Sequence, residues 1–343
     1  MDYVPLGRTG TMVSELPFGT WRFGRETDAG NVEIDCQRAH ELLDAYEAAG
    51  GRFIDTADMY GSGKSERWIG EWLADRDREE FVIASKIYWP VRTGEPNGRG
   101  LGRKHLRRQI DLILDRLGTD YLDLLYIHRW DDATPVREFV RTLDGFVESG
   151  RVNYLGSSTL WPNAWKVVRA NAVADEYGYE PFTVVQPRYN LVDREIEGPY
   201  LEMCAEYDLG VVPWSPLGEG FLTGKYDRDD VSSVDSRAAE DDRFAEKYLS
   251  DENFAALDVL RAVANEVGAS PAQVAIAWHL HHDLVTGPIV GARTVAQLEE
   301  NLAAADVSLT DDQFDRLAAA KPGPFAGIES APARGIDGRY DTW

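Results

Sequence analysis

Residues 102–128, GRKHLRRQIDLILDRLGTDYLDLLYIH, hold an amphipathic segment at 102–117 and a nearly continuous apolar run at 121–127. A short apolar run bounded by turn residues reads as a strand buried on both faces, the mark of a parallel sheet covered by helices. The same pairing recurs along the chain. Strand-like runs lie at 14–19, 52–56, 81–85, 121–127, 152–156, 182–185, 210–214 and 285–290. Helical patterns lie at 34–49, 64–73, 102–117, 135–149, 163–177, 199–207, 253–267 and 295–305. Eight strands alternating with eight helices predict an α/β fold of the (β/α)8 TIM barrel type, and 343 residues suit it. A doubly wound sheet calls for a Gly-rich turn after its first strand, whereas here that strand ends in PFGTW.

Several pieces fall outside the repeat. Residues 1–13 read as an N-terminal β-hairpin covering the bottom of the barrel, and 225–250 as a polar, acid-rich insertion after strand seven. Residues 270–281 and 310–320 read as extra helices opened by Ser270 and Thr310, with Pro271 at the first position of the former. Residues 321–343 read as a C-terminal tail or flap on a single domain spanning 1–343.

Composition narrows the partners. The chain has 36 basic and 59 acidic residues, a formal net charge of −23, and its bases are 29 Arg and 7 Lys. Nucleic acid and anionic membrane surfaces are disfavoured, because both are bound by basic residues. No apolar run approaches the ~20 residues of a membrane span, and the N-terminus lacks a secretion signature. Cys36 and Cys204 imply no disulfide framework. A cytoplasmic protein is expected. The surplus of acids with few lysines suits molar salt, where self-repulsion is screened, and points to a halophilic source.

In a barrel of this kind the chemistry belongs at the C-terminal ends of the strands. Strand two ends at Asp55 and leads to Tyr60 in DTADMYG, strand three ends at Lys86 in VIASK, and strand four ends at His128 in LLYIHRW. These four types suit hydride transfer to a carbonyl. Tyr60 gives a proton to the developing alkoxide, and a free phenol has a pKa near ~10. Lys86 is expected to lower that pKa, Asp55 to hold Lys86, and a neutral His128 to orient the carbonyl oxygen.

With FIDTADMYGSGKSE, VIASK and LDLLYIHRW, the segments VVQPRYNLVDR, VVPWSPLGEGFLTGKY and PIVGARTVAQLEENLAA closely resemble the aldo-keto reductases, in order, from Leu6 to about Ala305. The resemblance implies a TIM barrel using NAD(P)H without metal to reduce aldehydes or ketones. It implies a catalytic tetrad of Asp55, Tyr60, Lys86 and His128, with Tyr60 as general acid. It assigns the nicotinamide to Ser157, Ser158, Gln186 and Trp214, although the family usually has Asn where Ser158 stands. It assigns the pyrophosphate to Ser215, Leu217, Gly218, Gly220, Leu222, Gly224 and Lys225, and the adenosine end to Gly291, Arg293, Gln297, Glu300 and Asn301. Arg293 suits a 2′-phosphate and no acid occupies 291–294, so NADP(H) is expected over NAD(H).

Trp21, Trp89 and Trp130, at or just beyond strands one, three and four, are candidate walls of an apolar pocket for a small-molecule carbonyl substrate. Ordinary loop packing is the competing reading for each. Within the same superfamily, HRW and SPLGEGFLTGKY also resemble the potassium-channel β subunits, which implies the alternative of a redox-sensing, cofactor-binding partner protein. A barrel glycosidase is a weaker alternative, since it needs two free carboxylates.

Two motifs are set aside. GSGKS at 61–65 lacks the glycine that a P-loop needs at position 58, which is Asp58. His279, His281 and His282 do not share one helix face and read as a solvated helix.

Overall fold

The structure is a computed structural model describing residues 1–27, 30–90, 94–158, 162–228 and 242–326. Its centre is a seven-stranded parallel sheet in sequential order: β3 (Phe18–Gly19), β4 (Phe53–Asp55), β5 (Val82–Ile87), β6 (Leu122–Ile127), β7 (Val152–Ser158), β8 (Phe182–Gln186) and β9 (Gly210–Val211). Helices α1 (Cys36–Ala48), α2 (Lys64–Leu73), α3 (Arg103–Leu117), α4 (Val136–Glu148), α5 (Trp165–Tyr177) and α6 (Pro199–Glu206) each connect one strand to the next. Sequential parallel strands with a helix in every connection match the predicted βα repeat and exclude a switch point.

The expected eighth strand is reduced to a single parallel bridge, Phe18 to Val290. Its segment still spans the gap between the two edges of the sheet. Thr286 N–H donates to Val211 O and Ile289 N–H to Pro213 O on one side, while Val290 N–H donates to Pro17 O and Gly19 N–H to Val290 O on the other. A ladder cannot run through it because Pro17, Pro213 and Pro288 have no N–H to give. Gly287 is required there, since a Cβ would lie 2.1 Å from the Glu15 carbonyl oxygen.

Strand alternation sorts the side chains into two cores. Ile54, Ile83, Ile87, Leu125, Ile127, Leu155, Val185 and Val211 face the helices in the large core. Phe53, Ala84, Leu124, Tyr126, Val184 and Val212 fill the interior, together with Leu6 and Val13. Leu6 follows β1 (Tyr3–Pro5) and Val13 lies in β2 (Met12–Ser14), which pair antiparallel with Tyr3 opposite Ser14. The N-terminal hairpin therefore plugs the inside of the sheet.

Beyond β9 come α7 (Asp242–Tyr248), α8 (Asp251–Val267), α9 (Pro271–Leu280), α10 (Val295–Leu302) and α11 (Asp311–Ala320). Capping boxes at Ser270/Gln273 and Thr310/Gln313 start the two extra helices where the sequence places them. Two expectations need correction. The 225–250 insertion ends in a helix, α7, whose Phe244 and Tyr248 are buried and ring-pack with Tyr226 and Phe221; its residues 229–241 lie outside the described ones. Helix α9 is not solvated. His279 is fully buried with Val274, Ala275, Ile276 and Trp278, and its ring packs on Tyr189 and Trp278. Of the tail, Lys321 Nζ donates to Val192 O and Asn253 Oδ1 at 2.9 and 2.7 Å; residues 327–343 lie outside the described ones. No helix among the described residues is long and apolar enough to cross a membrane.

Candidate active site

The interior apolar positions and the polar candidates share one register. Phe53 is followed two residues later by Asp55, Ala84 by Lys86, Tyr126 by His128, Val184 by Gln186 and Val212 by Trp214. A period of two keeps each of these on the face of its strand that points inward, one step beyond the apolar plug.

Lys86 is the hub. Its Nζ donates to Asp55 Oδ1 at 2.5 Å, to Thr56 O at 2.8 Å and to Tyr60 Oη at 3.2 Å. Burial alone would push this amine down, but the Asp55 carboxylate and Tyr60 phenol outweigh it and hold Lys86 above its usual value, charged. Asp55 Oδ2 accepts from Gln186 Nε2 at 2.8 Å, so both carboxylate oxygens are taken. Burial lifts the Asp55 carboxyl, against the pull of Lys86 and then Gln186.

Tyr60 opens a tight 3-10 turn, Tyr60–Gly63, whose next three residues are all left-handed, with φ of 54°, 59° and 87°. Gly61 is obligatory, because a Cβ would meet the Phe23 carbonyl oxygen at 2.4 Å. The GSGKS stretch is thus the turn that sets Tyr60 ahead of α2. The expected lowering of the Tyr60 pKa is not found: burial outweighs the Lys86 cation and the phenol stands above its ordinary value. The physical reason is that Lys86 is itself neutralised by Asp55, while desolvation acts in full.

His128 follows β6, its ring 6.0 Å from that of Tyr60 and edge-on to it. Burial, and then the Lys86 cation, drop it to about 3, so the imidazole is neutral at ordinary pH. Its Nδ1 is buried and hydrogen-bonds nothing.

The candidate cofactor residues fall at the same ends of the later strands. Ser157 and Ser158 close β7; the Ser157 hydroxyl is buried and unpartnered, and Ser158 Oγ donates to Gln186 O at 3.1 Å. Trp214 is half-buried under the Arg188 guanidinium, 5.2 Å from the ring centre. Ser215 has φ 63° and its Oγ accepts from Glu219 N–H at 3.2 Å, holding the Gly218–Thr223 turn. Gly218, Gly220 and Gly224 in and beside that turn are all left-handed, with φ of 54°, 101° and 80°. Leu217 is half-buried and Leu222 fully buried, so Leu222 has only its backbone to offer a ligand. A Cβ on Gly220 would lie 4.0 Å from Lys225 Nζ, which places that amine over the turn.

The opposite turn is built by its own side chains. Gln297 Oε1 accepts from Arg293 N–H at 2.9 Å and Asn301 Nδ2 donates to Gly291 O at 3.0 Å. Arg293 and Glu300 are exposed. The open hydrogen-bonding positions at Ser157 Oγ and His128 Nδ1 and the left-handed Gly218–Gly224 cradle fit a nicotinamide dinucleotide.

The tryptophans divide. Trp89 packs edge-on to His128 at 6.5 Å and to Tyr88 at 5.0 Å. Trp21 is 38% exposed, with the Arg25 guanidinium 4.1 Å from its ring. Trp130 is buried edge-on to Phe139 of α4 at 5.1 Å, in the packing role that competes with a pocket role.

Sequence reasoning missed a buried charge cluster behind Lys86. Glu66 accepts from Ser85 Oγ at 2.6 Å and from Arg116 at 2.8 Å, while the Asp58 backbone N–H donates to Lys86 O at 3.1 Å. Burial, and then Glu66, push the Asp58 carboxyl well up. Two acids inside the D-M-Y-G-S-G-K-S-E run were the available signal.

The chain matches the aldo/keto reductase family over residues 15–322. It is 35% identical over 342 residues to a probable voltage-gated potassium channel subunit beta of Oryza sativa, covering 97% of this chain and 98% of that one. An uncharacterized oxidoreductase of Bacillus subtilis is 36% identical over 336 residues, covering 94% and 97%. A norsolorinic acid reductase of Aspergillus flavus is 34% identical over 323 residues, covering 91% and 79%.

Proposed function

The chain belongs to the aldo/keto reductase family, and on that premise we propose that it reduces aldehydes or ketones to alcohols with NADPH, Tyr60 giving the proton. The observation that carries this is Lys86 Nζ bonded at once to Asp55 and to the Tyr60 oxygen, 3.2 Å away. A bound nicotinamide supplies the hydride. The chain's own residues manage the proton. Tyr60, held protonated by burial, releases its proton only as negative charge grows on the carbonyl oxygen, and the phenolate left behind faces the Lys86 cation. Asp55 keeps that cation charged and in place. His128, neutral and able to donate, orients the oxygen. Asp55 is tied to Lys86 and Gln186 and so is not free to act as one of a pair of catalytic carboxylates, which argues against glycoside hydrolysis.

For the cofactor we assign Ser157, Ser158, Gln186 and Trp214 to the nicotinamide, the 215–225 segment to the phosphates, and Arg293 with Gly291, Gln297, Glu300 and Asn301 to the adenosine end. Gln186 gives one of its two amide N–H groups to Asp55, so its carbonyl oxygen and second N–H are what remain for a carboxamide. Arg293, exposed and with no neighbouring acid in 291–294, favours the 2′-phosphate of NADP(H). Trp89 and Trp21 are assigned to the substrate mouth. The sheet with its bridging 285–290 segment is read as an eight-stranded (β/α)8 barrel.

The test is Tyr60→Phe. Carbonyl reduction is expected to fall by about 10²–10⁴-fold while NADPH quenching of tryptophan fluorescence is unchanged. Undiminished turnover in the variant sinks the mechanism. The potassium-channel-subunit relatives support a second reading, a cofactor-bearing partner protein. Steady multiple turnover with carbonyl substrates, in protein purified without a membrane partner, decides against it.

A further inference from the structure

On the outer layer, away from the tetrad, α1 and α2 bring three metal-type donors together. Cys36 and His40 stand one helical turn apart on α1, and Glu71 faces them from α2. Cys36 Sγ lies 3.7 Å from His40 Nε2 and 3.5 Å from Glu71 Oε2. One donor atom from each of the three lies within 4.8 Å of the others. The Trp68 carbonyl oxygen is 2.9 Å from the same His40 nitrogen.

We propose that Cys36, His40 and Glu71 bind a divalent cation of the Zn2+ class, with the Trp68 carbonyl oxygen as a fourth donor. Bond lengths of about 2.3 Å to sulfur and about 2.0–2.2 Å to nitrogen or oxygen, set tetrahedrally, require sulfur-to-ligand separations of about 3.6 Å. The two observed separations bracket that figure before any cation is bound. The Trp68 oxygen is closer to the imidazole than a tetrahedral edge, so its use as a donor requires it to move outward. A thiolate, an imidazole and one carboxylate select against hard Mg2+ or Ca2+, which take oxygen ligands.

Protonation sets the stoichiometry. Without a cation, the Cys36 S–H donates to Glu71. On binding, the S–H bond breaks, a sulfur–metal bond forms and one proton leaves to solvent. His40 binds through the lone pair of Nε2, in the tautomer that carries its proton on Nδ1. The cation clamps α1 to α2.

The experiment is a titration of the reduced, chelator-stripped full-length protein with Co2+. One equivalent is expected to produce the near-ultraviolet thiolate-to-cobalt transition and to release one proton. Cys36→Ser is expected to abolish the transition, the buried Cys204 serving as an internal control, and His40→Gln to weaken binding by at least about 10-fold. Zn2+ displaces the Co2+ and raises the melting temperature of the unmutated chain but not of Cys36→Ser. A spectrum without the transition, or one retained in Cys36→Ser, overturns the proposal. None of these readouts involves carbonyl reduction.

Discussion

His128 and His279 are both held at about 3, His128 by burial and then the Lys86 cation, His279 by burial and then His282 and Arg194. In the unfolded chain each returns to about 6.5. Between about 6.5 and 3 the unfolded chain therefore binds protons that the folded one does not, and stability falls as pH drops through that window. The slope is at most about 1.4 kcal/mol per pH unit for each group. His279→Phe keeps a ring between Tyr189 and Trp278 and removes one of the two. Melting temperatures measured from pH 7 to 4 are expected to fall less steeply in this variant; equal slopes count against the argument. At this scale the sequence was informative where alternation governs. Asp55, Lys86 and His128 each sit two residues beyond an interior apolar residue, so strand period and strand end together find them. Two properties lay beyond it. Gln186 meets Asp55 across 131 positions of chain, and the proton affinity of Tyr60 depends on burial, which only the assembled ring determines.

Helix α2 packs on α3 so closely that a Cβ on Gly70 would lie 2.4 Å from the Arg116 carbonyl oxygen and 2.7 Å from Leu117 backbone carbon. Because the obstruction is backbone, it cannot rotate away. Gly70→Ala is expected to cost about 1–3 kcal/mol of stability despite its better helix propensity, read as a lower denaturation midpoint; an unchanged or raised midpoint refutes the packing account. The helices were legible because their apolar faces and caps are local, as Ser270/Gln273 and Thr310/Gln313 illustrate. Two elements were not. The run at 285–290 has a strand's composition, but pairing fails at prolines, one of them within the run and two in the segments it faces. Helix α7 is hidden in an acid-rich stretch because its anchors, Phe244 and Tyr248, find their partners in the turn after β9 and at the start of the insertion.

Across the whole molecule, −23 charges repel one another. The exposed ion pairs, such as Arg316–Glu266 at 2.7 Å, offset little of this, since each contributes at most about 1 kcal/mol. Raising NaCl from about 0.1 M toward 1 M shortens the Debye length from ~10 to ~3 Å. The melting temperature is expected to rise with it, and affinity for the proposed NADPH to hold or improve, because a nicotinamide dinucleotide is itself an anion entering an acidic field. A steep, monotonic loss of affinity with salt would instead show that Arg293 and Lys225 dominate. The global surplus of acid is plain from composition. The arrangement of cations around the site needs the fold.

The bridge from Phe18 to Val290 has a temporal meaning as well as a spatial one. Each neighbouring pair from β3 to β9 is joined by one helical connection, so its contacts arise over short stretches of chain. The Phe18–Val290 seam joins the two ends of the strand order across most of the described chain, and contacts of such long range repay their closure entropy only after the intervening units have formed. With a handful of backbone bonds and no continuous ladder, the seam is expected to be the last joint to form in folding and the first to breathe open, so the amides of Gly19 and Val290 are the natural reporters of that opening in hydrogen exchange.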